Sequence, residues 1–175
     1  MPDEVRLGLQ APQAGPNAVA GFVKDFVRRA HAGGFRMFWV GDHILMGGFN
    51  HRAKEHETFL EPLVLLSYIA GELDDVELGT SVMIAPYRNA LSVMKSIATL
   101  AHLTQHRLSI GIGAGWAEHE FKALGAPFRA RGRLTNEFCQ LFAKLRDAPD
   151  ETWEVGPYTY GGGGFEPRLD ANANL

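Results

Sequence analysis

The stretch SIGIGAGWAEHEF, residues 109–121, decides how the chain is read. Three glycines alternate with small residues behind an apolar run. A dinucleotide-binding fingerprint needs G-x-G-x-x-G, with the last glycine packing a helix against its strand. Counted from Gly111, that last position is Trp116. No acidic residue closes a strand about 20 residues further on, where a ribose contact would stand. Gly125 and Pro127 interrupt the following segment, so no long helix N-terminus waits for a pyrophosphate. The stretch therefore reads as the end of a buried strand whose glycines let a flat ligand approach the backbone.

Working outward, the same pattern recurs. Val5, Leu7 and Leu9 alternate, so residues 5–10 read as a strand. Asn17 is placed to cap a helix whose apolar face is Val19, Phe22, Val23, Phe26, Val27 and Ala30, ended by Gly33-Gly34. MFWV (37–40) is a second strand, followed by a loop from Gly41 to Phe59 and a helix from Pro62 through Leu73. VELGTSVMIA (76–85) is a third, and Asn89 caps the next helix. RLSIGIG (107–113) is the fourth, leading to a helix with Leu134, Phe138, Leu141, Phe142 and Leu145. Strands that alternate with helices at this spacing form βαβ units and a parallel sheet. Two architectures satisfy that: an open doubly wound sheet, or part of a (β/α) barrel. Both place chemistry at the carboxyl ends of the strands.

Bulk properties narrow the function. The 175 residues carry a net charge of −3 with scattered basic residues, so no nucleic-acid or lipid patch is indicated. One cysteine, Cys139, allows no disulfide framework, fits a reducing cytoplasm and reads as a small buried hydrophobe. MPDEVRLGLQ is not a secretory signal, and no apolar run is long enough to span a bilayer. His119-Glu120 opens like H-E-x-x-H, but the fifth position is Ala123. His51 and His56 stand in a polar loop without a further ligand, so no metal site is expected.

At the strand ends stand Asp42-His43, then Thr80-Ser81-Val82 with Arg88 beyond, then Gly113-Ala114-Gly115-Trp116. Histidine can hydrogen-bond a ring or move a proton near neutral pH. The competing reading of Asp42-His43 is a loop cap beside a polar rim residue. Small hydroxyl residues leave room for a ligand and offer hydrogen bonds, and otherwise belong to a strand and its turn. Arg88 reads as a surface salt bridge or helix entry more readily than as an anion site.

Together GFRMFWVGDHI, the run EPLVLLSYIAGELDDVELGTSVMIAPYRNALSVMKSIATLAHLTQHRLSIGIGAGWAEHEFKALGAPF and the helix RGRLTNEFCQLFAKLRD resemble the bacterial luciferase-like oxidoreductases. The resemblance covers residues 4–160. It implies half of a (β/α)8 barrel, four βα units, with reduced FMN or a deazaflavin coenzyme and a small organic substrate. It also implies roles. Asp42 and His43 approach the cofactor ring, His43 as the catalytic residue. Ser81-Val82 is the bulge under the ring, often a non-proline cis peptide. Gly113, Ala114, Gly115 and Trp116 line the cofactor pocket, with Glu118 and His119 at its rim. A whole barrel needs about 250 residues. Here TWEVGPYTY reads as a short β excursion over 149–160, and the glycine-rich 161–175 as a flexible tail. The family's phosphate contacts come from the half not present. A homo-oligomer or a complementing second half-barrel is the expected partner. The alternative function is a non-catalytic half-barrel serving assembly or flavin binding.

Overall fold

The computed structural model describes residues 6–46, 58–104 and 107–169. Val5, His51, His56, most of the loop after Gly41 and the tail beyond 169 lie outside the described residues. Strands β1 (Leu9–Gln10), β2 (Met37–Val40), β3 (Glu77–Ile84) and β4 (Leu108–Gly113) form one parallel sheet in the order β1-β2-β3-β4. A doubly wound sheet reverses its strand order at a switch point. This sheet does not reverse, so each βα unit is added on the same side. The fold is α/β, half of a (β/α)8 barrel.

The register decides which side chains meet the helices. Phe38, Leu78 and Leu108 stand side by side across β2, β3 and β4, and so do Val40, Thr80 and Ile110. All six are buried. Helices α1 (Ala20–Ala32), α2 (Pro62–Ala70), α3 (Ala90–Leu103) and α5 (Arg131–Asp147) complete the core. They contribute Val27, Leu66, Ile69, Met94, Ile97, Phe138 and Leu141 among others. Thr80 is the polar member of its row, and its hydroxyl donates to the Gly111 carbonyl at 2.9 Å. That bond lies where the β3–β4 register shifts between Thr80 and Met83.

Helix boundaries follow local chemistry. Asn89 accepts from the Ser92 amide at 3.0 Å and caps α3, as its position predicts. Asn17 does not cap α1. Pro16 sets a 3₁₀ turn over Gly15–Asn17, the chain then extends, and α1 opens after Val19 without a side-chain cap. Val23 and Val27 carry the α1 contact, while Val19 and Phe22 at the edges of the stripe stay exposed. Cys139 is exposed and not buried. It lies about 100° around α5 from Phe138, on the side turned from the core.

Two further elements close the described chain. Strands β5 (Trp153–Val155) and β6 (Tyr158–Tyr160) pair as an antiparallel hairpin, the excursion expected from TWEVGPYTY. Trp153 stacks on Tyr160 at 4.7 Å, and the Tyr158 hydroxyl accepts from the Ala90 amide at the start of α3. Residues 161–169, glycine-rich and read from composition as flexible, pack back on the body. Leu169 is in the core, and Arg168 pairs with Asp150 at 2.8 Å. The Glu166–Pro167 peptide is cis. Among the described residues no helix is long and apolar enough to cross a membrane.

On the sheet face away from the core, Trp39 lies across Gly79. A Cβ at Gly79 would sit 2.2 Å from the indole and 2.6 Å from the Ser109 carbonyl oxygen. Gly79→Ala is therefore expected to destabilise the protein by about 1–3 kcal/mol. Gly21→Ala, in a helical position with open space around it, is expected to stabilise by about 0.5–1 kcal/mol. Urea denaturation of the two variants checks the opposite signs.

Candidate functional site

The carboxyl ends of β2, β3 and β4 are drawn together by two buried carboxylates. The first is Asp42, immediately after β2. Its Oδ2 accepts from the Ile84 amide at 2.8 Å, which ties the end of β2 to the end of β3. Arg88 grips the same carboxylate with both terminal nitrogens, at 2.5 and 2.9 Å. Arg88 also reaches Glu61 Oε1 at 2.9 Å. Glu61 caps α2 by accepting from the Val64 amide at 2.8 Å. Burial works against the Arg88 charge, and its two carboxylates outweigh it, raising its pKa.

The second is Glu120, wholly buried on the short helix α4 (Glu118–Leu124). The next residue, Phe121, sits edge-on to Tyr87 at 5.0 Å and to Phe128 at 5.2 Å. This small apolar cluster, completed by Ile84, sets α4 against the strand ends. Glu120 Oε1 accepts from the amides of Ile44 and Leu45 at 2.6 and 2.9 Å. Its Oε2 is 2.9 Å from His43 Nδ1 and accepts from the Tyr87 hydroxyl at 2.8 Å. Burial alone would raise the Glu120 pKa. The bonds from Leu45, His43, Ile44 and Tyr87 outweigh it and hold the carboxyl below its ordinary 4.5. Burial first, and then the bond to Glu120, push the Tyr87 phenol above its usual value.

Gln13 braces the same region. Its side chain bonds both the amide and the carbonyl of Gly41, at 2.6 and 2.8 Å, and the Leu60 carbonyl at 2.8 Å. His43 then stands with its ring edge-on to Phe59 and Trp116, at 5.4 and 6.0 Å between centroids. His119 Nε2 lies 3.4 Å from the Leu45 carbonyl.

The structure redistributes the residues singled out from sequence. His43 and Trp116 come together, and Trp116 is 60% exposed. The Ser81–Val82 peptide is cis, and both residues face outward. Asp42 was expected to approach a ring beside His43. Its carboxylate instead turns inward and is fully engaged by Ile84 and Arg88. The glycines of β4 were expected to leave open backbone for a flat ligand. Val82 occupies that space: a Cβ on Gly113 would meet its Cγ2 at 2.8 Å, and one on Gly111 its Cγ1 at 3.3 Å. The surface offered there is the Val82 isopropyl group. Gly115 packs under Ile84 and Phe121, and Ala114 is half-buried beside it. Glu118 is exposed at the start of α4.

Three residues that build the site were not read from sequence: Glu120, Arg88 as the partner of Asp42, and Tyr87. Glu120 was considered only as part of an incomplete zinc motif. A signal was available in its position, an acidic residue beside an apolar one in the first turn after a strand end.

A cleft of about 820 Å³ lies at the opposite, amino-terminal end of the strands. Its arginines are already paired, Arg6 with Glu77 at 2.9 Å and both Arg36 and Arg107 with Asp75 at 3.4 Å. These pairs balance the charge of the cleft, and barrel chemistry occupies the opposite, carboxyl end.

These features define a βα half-barrel with its polar and aromatic groups gathered at the carboxyl ends of the strands. The chain belongs to the luciferase-like monooxygenase family, whose model matches residues 2–165. It is 34% identical over 139 residues to an F420-dependent glucose-6-phosphate dehydrogenase of Intrasporangium calvum, covering 79% of this chain and 37% of that protein. The crystal structure of monooxygenase RslO1 from Streptomyces bottropensis superposes with a TM-score of 0.74 at 21% identity, over 94% of this chain and 50% of that one. An F420-dependent secondary alcohol dehydrogenase gives 0.74 at 19% identity, over 93% and 48%. The chain thus spans half or less of each of these relatives.

Because the folded Glu120 pKa lies below 4.5, its stabilisation is present above about pH 4.5 and is lost as pH falls through the lower folded value. Glu120→Gln is expected to cost about 1–3 kcal/mol at neutral pH, since two part-buried backbone donors keep only a weaker acceptor. It is also expected to flatten the acid limb of stability against pH. Urea denaturation at intervals from neutral to acidic pH measures both. Parallel acid limbs in variant and wild type would contradict the assignment.

Proposed function

We propose that the chain is the cofactor-bearing half of a luciferase-like oxidoreductase that uses reduced FMN or a deazaflavin coenzyme on a small organic substrate. The observation that carries the reading is the meeting of His43 and Trp116 at the strand ends, where Val82 is also exposed, in a chain belonging to this family. The residues present fit a planar heteroaromatic ring. Val82 supplies an apolar platform backed by Gly111 and Gly113, and His43 and Trp116 supply aromatic edges with ring N–H groups. The bound coenzyme would supply the redox chemistry. The protein's own residues would bind and orient it and hold a proton at His43. Asp42, Glu120 and Gln13 support those residues from behind.

In this reading a second (β/α)4 unit completes the barrel, from the remainder of a longer chain, a second copy or another polypeptide. The two solved structures named above are about twice the length that this chain matches, which supports the idea. Barrel phosphate sites frequently follow the seventh and eighth strands, so the coenzyme's phosphate would be held by that unit.

The test is a fluorescence titration with FMN and with a deazaflavin coenzyme, on the chain alone and with the carboxyl-terminal half of a relative supplied. Saturable binding of one of them is expected, weakened about three- to tenfold by Trp116→Ala through the lost aromatic contact. Absence of binding in both samples would overturn the reading.

A further inference from the structure

We infer that Glu120 is the positioning residue that fixes His43 as the Nδ1–H tautomer, so that Nε2 is its basic nitrogen. The inference rests on the proposed role of His43, and it is carried by the geometry around one carboxylate. Glu120 lies 77 residues beyond His43 in sequence, yet its two oxygens serve four groups clustered at the end of β2 and the turn after β3.

The division of labour between the two oxygens is what makes the inference specific. Oε1 faces two backbone amides, Ile44 at 2.6 Å and Leu45 at 2.9 Å. Backbone N–H groups can only donate, so this position must hold an oxygen acceptor. Oε2 faces the Tyr87 hydroxyl at 2.8 Å and His43 Nδ1 at 2.9 Å. An ionised carboxylate only accepts, so Nδ1 carries the proton. In the neutral imidazole the lone pair then belongs to Nε2. The same carboxylate draws in the two amides that follow His43. It therefore sets the ring's protonation form and the path of the backbone that carries it.

A glutamine at 120 gives an unusual readout. The amides of Ile44 and Leu45 still require an oxygen, so the amide oxygen takes the Oε1 position. The NH₂ group then takes the Oε2 position and points at His43 Nδ1. That nitrogen must now accept, and the ring is forced into the Nε2–H form. Simple loosening of the site would not invert a tautomer.

The experiment is a long-range ¹H–¹⁵N correlation spectrum of the histidine rings above neutral pH, recorded without any cofactor. His43→Gln identifies the His43 signals by their disappearance. The wild type is expected to show Nδ1 protonated, and Glu120→Gln to show the proton moved to Nε2. Tyr87→Phe, which keeps the carboxylate, is expected to leave the proton on Nδ1. A wild-type His43 in the Nε2–H form would overturn the inference, and it can be read even if Glu120→Gln does not fold. So would a folded Glu120→Gln protein that keeps Nδ1–H. Because these spectra need no cofactor, they judge Glu120 alone, whereas the cofactor titrations judge the proposed function.

Discussion

The site depends on one constraint: a carboxylate taken out of water must have its oxygens fully engaged. Asp42 meets it with the Ile84 amide and a two-pronged Arg88, and Glu120 with two amides, a phenol and an imidazole. A buried charge left half-satisfied costs several kcal/mol, so these partners are held to fixed places. The partners are themselves the strand ends, the turn after β3 and the loop after β2. Satisfying the two charges therefore sets the shape of the site. Neither group needs to touch a ligand to determine where His43 and Val82 stand.

The glycines of β4 belong to the same construction. Glycine is required at 111 because a Cβ would sit 2.4 Å from the Thr80 carbonyl oxygen, and at 113 because Val82 crosses it where the β3–β4 register shifts. Thr80 repairs the interrupted ladder with its bond to the Gly111 carbonyl. On the other side of the sheet the large aliphatic rows meet the helices, which fixes the platform from below. The consecutive strand order is that of one half of a (β/α)8 barrel.

Much of this architecture was legible in the sequence. Period-two and buried apolar runs marked β2, β3 and β4, the Asn89 cap marked α3, and TWEVGPYTY marked the hairpin. These signals are local, and local signals survive without knowledge of the fold. What was not legible depends on partners far along the chain. Glu120 meets His43 across 77 residues, and Arg88 meets Asp42 across 46. No periodicity records such pairs. The family resemblance implied a place for Asp42 beside the cofactor ring, and the structure shows its carboxylate turned inward onto Ile84 and Arg88. Cys139 was misjudged for a related reason, since an apolar helical neighbourhood does not say which side of the helix a residue takes.

Two buried carboxylates tie the strand ends together, and amide hydrogen exchange tests this directly. Ile44 and Leu45 lie outside regular secondary structure, and among the described residues Glu120 is the acceptor of both amides. Slow exchange is expected at Ile44, Leu45 and Ile84 in the wild type. Asp42→Asn is expected to accelerate Ile84 more than the other two. Exchange of Ile44 and Leu45 at the rate of an unstructured loop in the wild-type protein would contradict it.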